Sequence, residues 1–123
     1  PVFRSMVMRA YETQCAVCAI RHTQLLDAAH IIPDSADDGI AAVRNGLALC
    51  KIHHAAYDAG ILGISGDYRV EIREDVLADI DGPLFEHGIK GLHGDQLRVL
   101  PRRPVDRPDS ALLDWRYQRF RSA

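Results

Sequence analysis

The sequence predicts an α+β domain organised around a structural zinc knuckle. Two observations predict it. Cys15-Ala-Val-Cys18 is answered by Cys50-Lys-Ile-His53, four residues of metal-ligand type at the spacing of two short knuckles. Around them, apolar residues recur partly at helical spacing and partly in short runs of strand length bounded by Gly, Pro and Asn.

Phe3, Met6, Val7, Ala10 and Tyr11 fall at helical spacing and predict an N-terminal amphipathic helix leading into the knuckle, with its apolar stripe a core face. Residues 25–32 are an apolar run broken only by Asp27 and His30 and closed by Pro33, which reads as a buried strand with two polar residues placed in it. Residues 33–42, rich in Asp and containing Gly39, read as a loop. Asn45-Gly46 reads as a turn into a short strand at residues 47–49. Residues 50–59 favour a helix ended by Gly60, and residues 61–65 and 68–73, joined by Gly66-Asp67, read as a β-hairpin. Asp81-Gly82-Pro83 is punctuation, and Gly88, Gly91 and Gly94 make the next stretch irregular. Asp109-Ser110 suits the cap of a C-terminal helix over residues 111–120 that docks Leu112, Trp115 and Phe120.

At 123 residues the chain is the size of one domain, small enough to profit from a metal staple. It begins at Pro1 rather than at a methionine, which reads as a piece of a longer protein. No run approaches the roughly 18 apolar residues of a membrane span, so a soluble, cytoplasmic protein is expected. The net charge of −2 argues against gripping nucleic acid by bulk electrostatics. The charge is unevenly spread, however: residues 98–121 hold seven arginines against three aspartates, a local +4. A solvated helix face and phosphate contact both account for that run.

All three cysteines lie within positions 15 to 50, an odd number without a signal peptide, so a secreted disulfide framework is poorly supported. Two sulfurs separated by two residues turn onto one cation. A Cys and a His at i and i+3 on a first helical turn share a face, so Cys15, Cys18, Cys50 and His53 close a tetrahedral zinc site. A closed site folds the chain and does no chemistry, which disfavours a small-molecule zinc hydrolase.

Helical geometry separates the adjacent histidines. His54 is turned by about a hundred degrees from His53 and shares its face with Asp58 at i+4. An imidazole with a carboxylate suits Mg²⁺, Mn²⁺ or another divalent ion that activates phosphate esters. His30, held in a strand and titrating near working pH, is the natural general base; a satisfied core histidine is the competing reading.

Cys15-x2-Cys18, Leu26-Asp27-Ala28-Ala29-His30-Ile31-Ile32-Pro33, Asn45-Gly46-Leu47-x-Leu49-Cys50 and His53-His54-x3-Asp58 together resemble the HNH endonuclease family. They are most similar to the branch that forms the C-terminal cleavage domain of bacterial restriction endonucleases, some of which recognise modified DNA. The resemblance spans about residues 11–65, with residues 66–123 as a C-terminal extension of one domain, 1–123. It implies a ββα-metal fold, a hairpin and a helix clasping one divalent ion beside the scissile phosphate. It also implies that His30 activates water, that the Asn45 amide orients His30 through the intervening backbone, and that His54 ligates the catalytic ion. His53 stands where many members have a cysteine and still satisfies zinc.

One departure concerns the second ligand of that ion. Where many members carry Asp or His immediately before the base, this chain has Ala29. Asp27 has the same facing in a strand and is a candidate for the same cation; a structural carboxylate bonded to the knuckle or to Arg21 is the competing reading. Asp58 is a direct ligand, a water-mediated one, or a helix-face residue bonding an arginine.

The expected activity is metal-dependent hydrolysis of phosphodiester bonds in double-stranded DNA, with Arg44, Lys51, Arg102 and Arg103 as candidate DNA contacts. Target choice is expected to lie in an N-terminal recognition domain or a partner subunit, and the DNA is either plain or modified. A homodimer would supply the two active sites that cutting both strands calls for. The alternative from another class is a non-catalytic zinc-knuckle module binding DNA or protein with a decayed site, which the acidic balance and Ala29 favour.

Overall fold

A computed structural model describes residues 1–33 and 41–123, so most of the loop expected at residues 33–42 lies outside the described residues. Helix α1 (Val2–Ala10) forms as its periodicity predicts and buries Val7 fully, with Tyr11 fully buried just past its end. The knuckle follows. Ala19 takes a left-handed conformation at φ 66°, closed by its N–H on the Cys15 carbonyl at 2.8 Å. A non-glycine residue there costs about 1–2 kcal/mol. The knuckle is pinned to the sheet by the Ala16 amide, which donates to the Ala48 carbonyl at 2.7 Å.

Strands β1 (Leu26–His30) and β2 (Gly46–Cys50) pair antiparallel, with Leu26 opposite Cys50, Asp27 opposite Leu49 and His30 opposite Gly46. Every residue of β2 is buried, because α1 covers one face of the hairpin and α2 (Lys51–Asp58) the other. This is why residues 47–49 read as a continuous apolar run and not an alternation. Helix α2 starts with no linker: Cys50 is its N-cap, its Sγ accepting from the His53 amide at 3.4 Å. Gly60, at φ +71°, follows the helix and lets the chain turn into the next strand. The ββα unit implied for residues 26–58 is therefore present.

Strands β3 (Leu62–Ile64) and β4 (Val70–Ile72) make the second hairpin, two residues shorter on the first strand and three on the second than the pattern predicts. Two short helices follow: α3 (Glu74–Leu77) lies in a stretch for which the pattern predicts no element, and α4 (Pro83–Gly88) in one read as punctuation and irregular chain. Pro83 opens α4, where its missing N–H is harmless, and the structure uses the Gly82-Pro83 punctuation as a start signal. Helix α5 (Ser110–Ser122) is capped by Asp109, whose carboxylate accepts from the Ala111 and Leu112 amides at 2.8 and 3.3 Å. Its core anchor is Leu113, fully buried; Leu112 packs against the core and Phe120 docks against β3 as expected, while Trp115 is half-buried under the Arg119 guanidinium. Among the described residues, no helix is long and apolar enough to cross a membrane.

Asn45-Gly46 corrects another expectation. Asn45 ends a single 3-10 turn (Val43–Asn45), and Gly46 is already the first residue of β2. Its lack of a side chain serves close packing, since a Cβ there would stand 2.6 Å from Val7 Cγ2 and 3.1 Å from Phe3 Cζ. Gly63 is used the same way under Phe120, where a Cβ would meet the ring at 2.5 Å.

Gly46→Ala is expected to destabilise the protein by about 1–3 kcal/mol, since α1 and β2 are both packed and neither can yield. Gly63→Ala is expected to do less, because Phe120 is only partly buried and can swing aside. Urea denaturation of the two variants checks the order.

Candidate functional site

Two sites share the first turn of α2. In the first, one ligand atom from each of Cys15, Cys18, Cys50 and His53 lies within 4.8 Å of every other. His53 Nδ1 stands 3.2 Å from Cys50 Sγ and 3.7 Å from Cys15 Sγ. A tetrahedral ion with bonds of about 2.0–2.3 Å sets its ligands about 3.3–3.8 Å apart, so these edges fit zinc. No disulfide competes, all three cysteines being free. The other imidazole nitrogen, Nε2, donates to the Gly88 carbonyl at 2.6 Å, which orients Nδ1 toward the sulfurs. That backbone partner arrives from the end of α4, a helix of which the sequence marks only the Gly82-Pro83 start.

The crowding shows in the proton affinities. Hydrogen bonds from Cys15 and Cys18 hold the Cys50 thiol far below its ordinary value, while the same kind of contact with Cys15 and Cys50 pushes Cys18 far up. Burial opposes a charge on His53, but hydrogen bonds to Cys15 and Cys50 outweigh it and raise the imidazole to about 10. Sulfurs packed this closely without a cation must share protons; a divalent ion relieves that conflict.

The second site forms around His54. Its Nδ1 lies 2.8 Å from Asp27 Oδ2, and its Nε2 lies 3.2 Å from Asp58 Oδ2. Asp27 also pairs through Oδ1 with the Lys51 ammonium. The register makes this meeting possible: Asp27 sits opposite Leu49, one residue from the strand–helix junction, and so faces the first turns of α2. Of the two readings of Asp27, the structure brings it to His54 and not to the knuckle or to Arg21. Burial would raise its pKa, but hydrogen bonds from His54 and Lys51 prevail and hold the carboxyl below its usual range. It is therefore an anion with one cation, an ammonium, already against it.

His30 and Asn45 stand at the other end of β1. Asn45 is fully buried, and its amide spans one residue: Oδ1 accepts from the Ile32 N–H at 2.9 Å and Nδ2 donates to the Ile32 carbonyl at 3.0 Å. Its own carbonyl accepts from Ile31 at 2.9 Å. The backbone two residues past His30 is thus clamped on both edges. The His30 ring is stacked on Phe3, centroids 4.0 Å apart and planes 7° from parallel, with its Nε2 edge buried. Phe3, read only as part of a core stripe, holds the face of that imidazole.

Arg116 is a residue at the site that the sequence pattern did not single out. From α5 its guanidinium reaches back to the carbonyls of His30 and Ile31, at 3.0 and 3.1 Å, and to Asp58 Oδ1 at 2.9 Å. A signal was present: Leu113, Arg116 and Phe120 share one helical face, so an arginine stands in the inward stripe of α5. Its bond to Asp58 leaves that carboxylate on both His54 and an arginine, the arginine contact being one of the three roles left open for it.

The four basic residues expected to meet DNA are dispersed. Lys51 lies at the second site, paired with Asp27. Arg44 is exposed beside Asn45. Arg102 and Arg103 are highly exposed and make long ion pairs, 3.5 Å to Glu12 and 3.8 Å to Asp106. Pairs of this kind contribute little and exchange readily for a phosphate.

Residues 15–65 match the sequence model of a family described as HNH endonuclease. No curated protein matches the chain. Among solved structures, a protein titled modification dependent TagI restriction endonuclease superposes with a TM-score of 0.66 at 22% identity, covering 96% of this chain. At that identity the likeness speaks for the fold. The chain spans about 37% of that protein's length.

The knuckle is expected to hold one tightly bound metal per chain, zinc being the ion its donor set selects. Cys50→Ser should lose that metal together with the start of α2, since the same sulfur caps the helix. Elemental analysis and far-ultraviolet circular dichroism of wild type and variant check both.

Proposed function

We propose that this chain, whose motif core at residues 15–65 is that of an HNH endonuclease, is a divalent-metal-dependent nuclease that hydrolyses phosphodiester bonds of double-stranded DNA as the cleavage domain of a restriction endonuclease. The observation that carries the proposal is the meeting of Asp27 with His54 Nδ1 at 2.8 Å, three residues along β1 from His30. A carboxylate is thereby restored beside the final histidine although Ala29 cannot provide it.

The residues fit a catalytic cation. Asp27 is ionised and half of its partnership is already with a positive group, and a carboxylate with an imidazole is a donor set for Mg²⁺ or Mn²⁺. Asp27 and His54 would hold the ion, and Asp58, on the other imidazole nitrogen, would fix the tautomer and orientation of His54. Once bound, such an ion supplies the positive charge that offsets the charge developing on the phosphate and the leaving 3′ oxygen.

In this reading His30 takes the proton of the attacking water. The Nε2 edge of that ring is buried. Stacking on Phe3 and the Asn45 clamp keep the ring from turning, so the base meets water in one orientation. Lys51, held at the edge of the site by Asp27, would contact a phosphate next to the scissile one, with Arg44, Arg102 and Arg103 further along the backbone.

Residues 1–123 act in this proposal as a single cleavage domain, with target choice made by another domain or subunit. The partial coverage of the TagI protein supports a division of labour, and its title supports modified DNA as the target. A homodimer would supply a second active site for the opposite strand.

Plasmid cleavage in Mg²⁺ or Mn²⁺ tests the assignment. His30→Ala should cut about 10²–10⁴-fold more slowly than wild type while still binding Mn²⁺. Asp27→Asn should lose Mn²⁺ and activity together. Equal rates for wild type and His30→Ala would remove His30 from the chemistry, and DNA binding without cleavage or bound Mn²⁺ would favour the non-catalytic module. Lys51→Ala removes a positive charge beside Asp27, so Mn²⁺ should bind several-fold tighter while the KM for DNA rises, read by electron paramagnetic resonance and by steady-state cleavage.

A further inference from the structure

Arg116 is 85 and 86 residues away in sequence from the carbonyls it bonds at the end of β1. Its Nη1 donates to His30 and Ile31, and its Nη2 donates to the Tyr57 carbonyl at 3.2 Å and to Asp58 Oδ1. The guanidinium plane lies over the Tyr57 ring, 3.8 Å from its centroid, and the side chain is only 16% exposed. One planar group thus holds the end of β1, which carries His30, and the end of α2, which carries Asp58.

Among the described residues, the sheet ladder stops at the His30–Gly46 pair, and Asn45 binds Ile31 and Ile32 toward β2. Through the carboxylate that Arg116 grips, a chain of contacts continues to His54 and from there to Asp27. Resting on the function proposed above, we propose that Arg116 is a positioning residue that sets the separation between the general base and the cation-binding pair.

Two other roles fit the geometry less well. A phosphate contact needs unspent donors, and four of the five guanidinium N–H groups have acceptors within the chain. A purely stabilising staple is redundant, because Leu113 and Phe120 already dock α5, and the ion pair to Asp58, whose side chain is 58% exposed, adds little. A rigid fork spanning two elements is suited to fixing a distance. A lysine, with a single charged point, reaches one end at a time.

The test compares Arg116→Ala and Arg116→Lys with Arg119→Ala, an exposed arginine on the same helix that serves as control. Metal content and circular dichroism establish that each variant is folded. DNA affinity is measured by fluorescence anisotropy in EDTA, the cleavage rate at saturating DNA and Mn²⁺, and Mn²⁺ affinity by electron paramagnetic resonance. Arg116→Ala should lower the saturating rate on the order of 10²-fold, the cost of a misplacement near 1 Å. DNA affinity should stay within about twofold, Mn²⁺ should bind more weakly, and Arg119→Ala should match wild type. Arg116→Lys should recover part of the rate, and it decides the matter alone if the alanine variant does not fold.

Combined with Asp58→Asn, the loss should overlap with that variant's own and not multiply it, as members of one network do. A saturating rate equal to wild type, a loss confined to DNA affinity, or full multiplicativity with Asp58→Asn would overturn the proposal. If the wild type cuts no DNA, the nuclease reading fails instead. Arg116 is then judged by Mn²⁺ affinity and by the His54 imidazole resonances, which the arginine variants must shift if it positions that ring.

Discussion

Cys50 belongs to three structures at once, and the architecture depends on that overlap. It ends β2, caps α2 and supplies one vertex of the knuckle. A strand that becomes a helix at a metal ligand has no hinge at the junction, so the angle between hairpin and helix is set by the ligand geometry. The advance of about a hundred degrees per residue then sends His53 to the knuckle and His54 toward β1. With no cation drawing the knuckle together, such a junction would be a strand followed by a short helix of 8 residues, too short to persist by propensity alone.

The electrostatics of the second site follow from this placement. Asp27, His54, Asp58, Lys51 and Arg116 form a run of alternating carboxylates and nitrogen bases, each member satisfied by the next. Such a run tolerates partial burial because no charge is left without a partner. Burial works against the charge on Asp27, but hydrogen bonds from His54 and Lys51 outweigh it and hold the carboxyl below its usual range. In the proposed cation site Asp27 stands in for Ala29 from two residues upstream on the same face of β1, where it meets His54 of α2. Ala29 itself is buried.

Much of this was legible in sequence. The four knuckle ligands announce themselves by spacing, and the division of His53 from His54 needs only the helical period. α1, the first hairpin, α2, the second hairpin and α5 were all foreseen within a few residues. The misses share a cause. α3 is a short helix without a periodic stripe, so no local pattern marks it, and α4 shows only its Gly82-Pro83 start, without a stripe to mark the rest. Asn45-Gly46 looks like a turn because both residues favour one, yet Gly46 is there to let Phe3 and Val7 touch the sheet. Leu113 is indistinguishable from Leu112 until the rotation of α5 on β3 is known.

What the sequence determined by itself is chemistry that depends on near neighbours: metal ligands at i and i+3, a capping sulfur, a carboxylate on the same strand face as the position it replaces. Only the tertiary structure decided which side chains meet across the chain. Phe3 reaches His30 because Gly46 has no Cβ, Gly88 orients His53 because α4 ends beside the knuckle, and Arg116 spans β1 and α2 because α5 packs with that face inward. Periodicity gives the face of an element, but the partner of that face is set by how all the elements fill one core, and a single element's sequence does not carry that information.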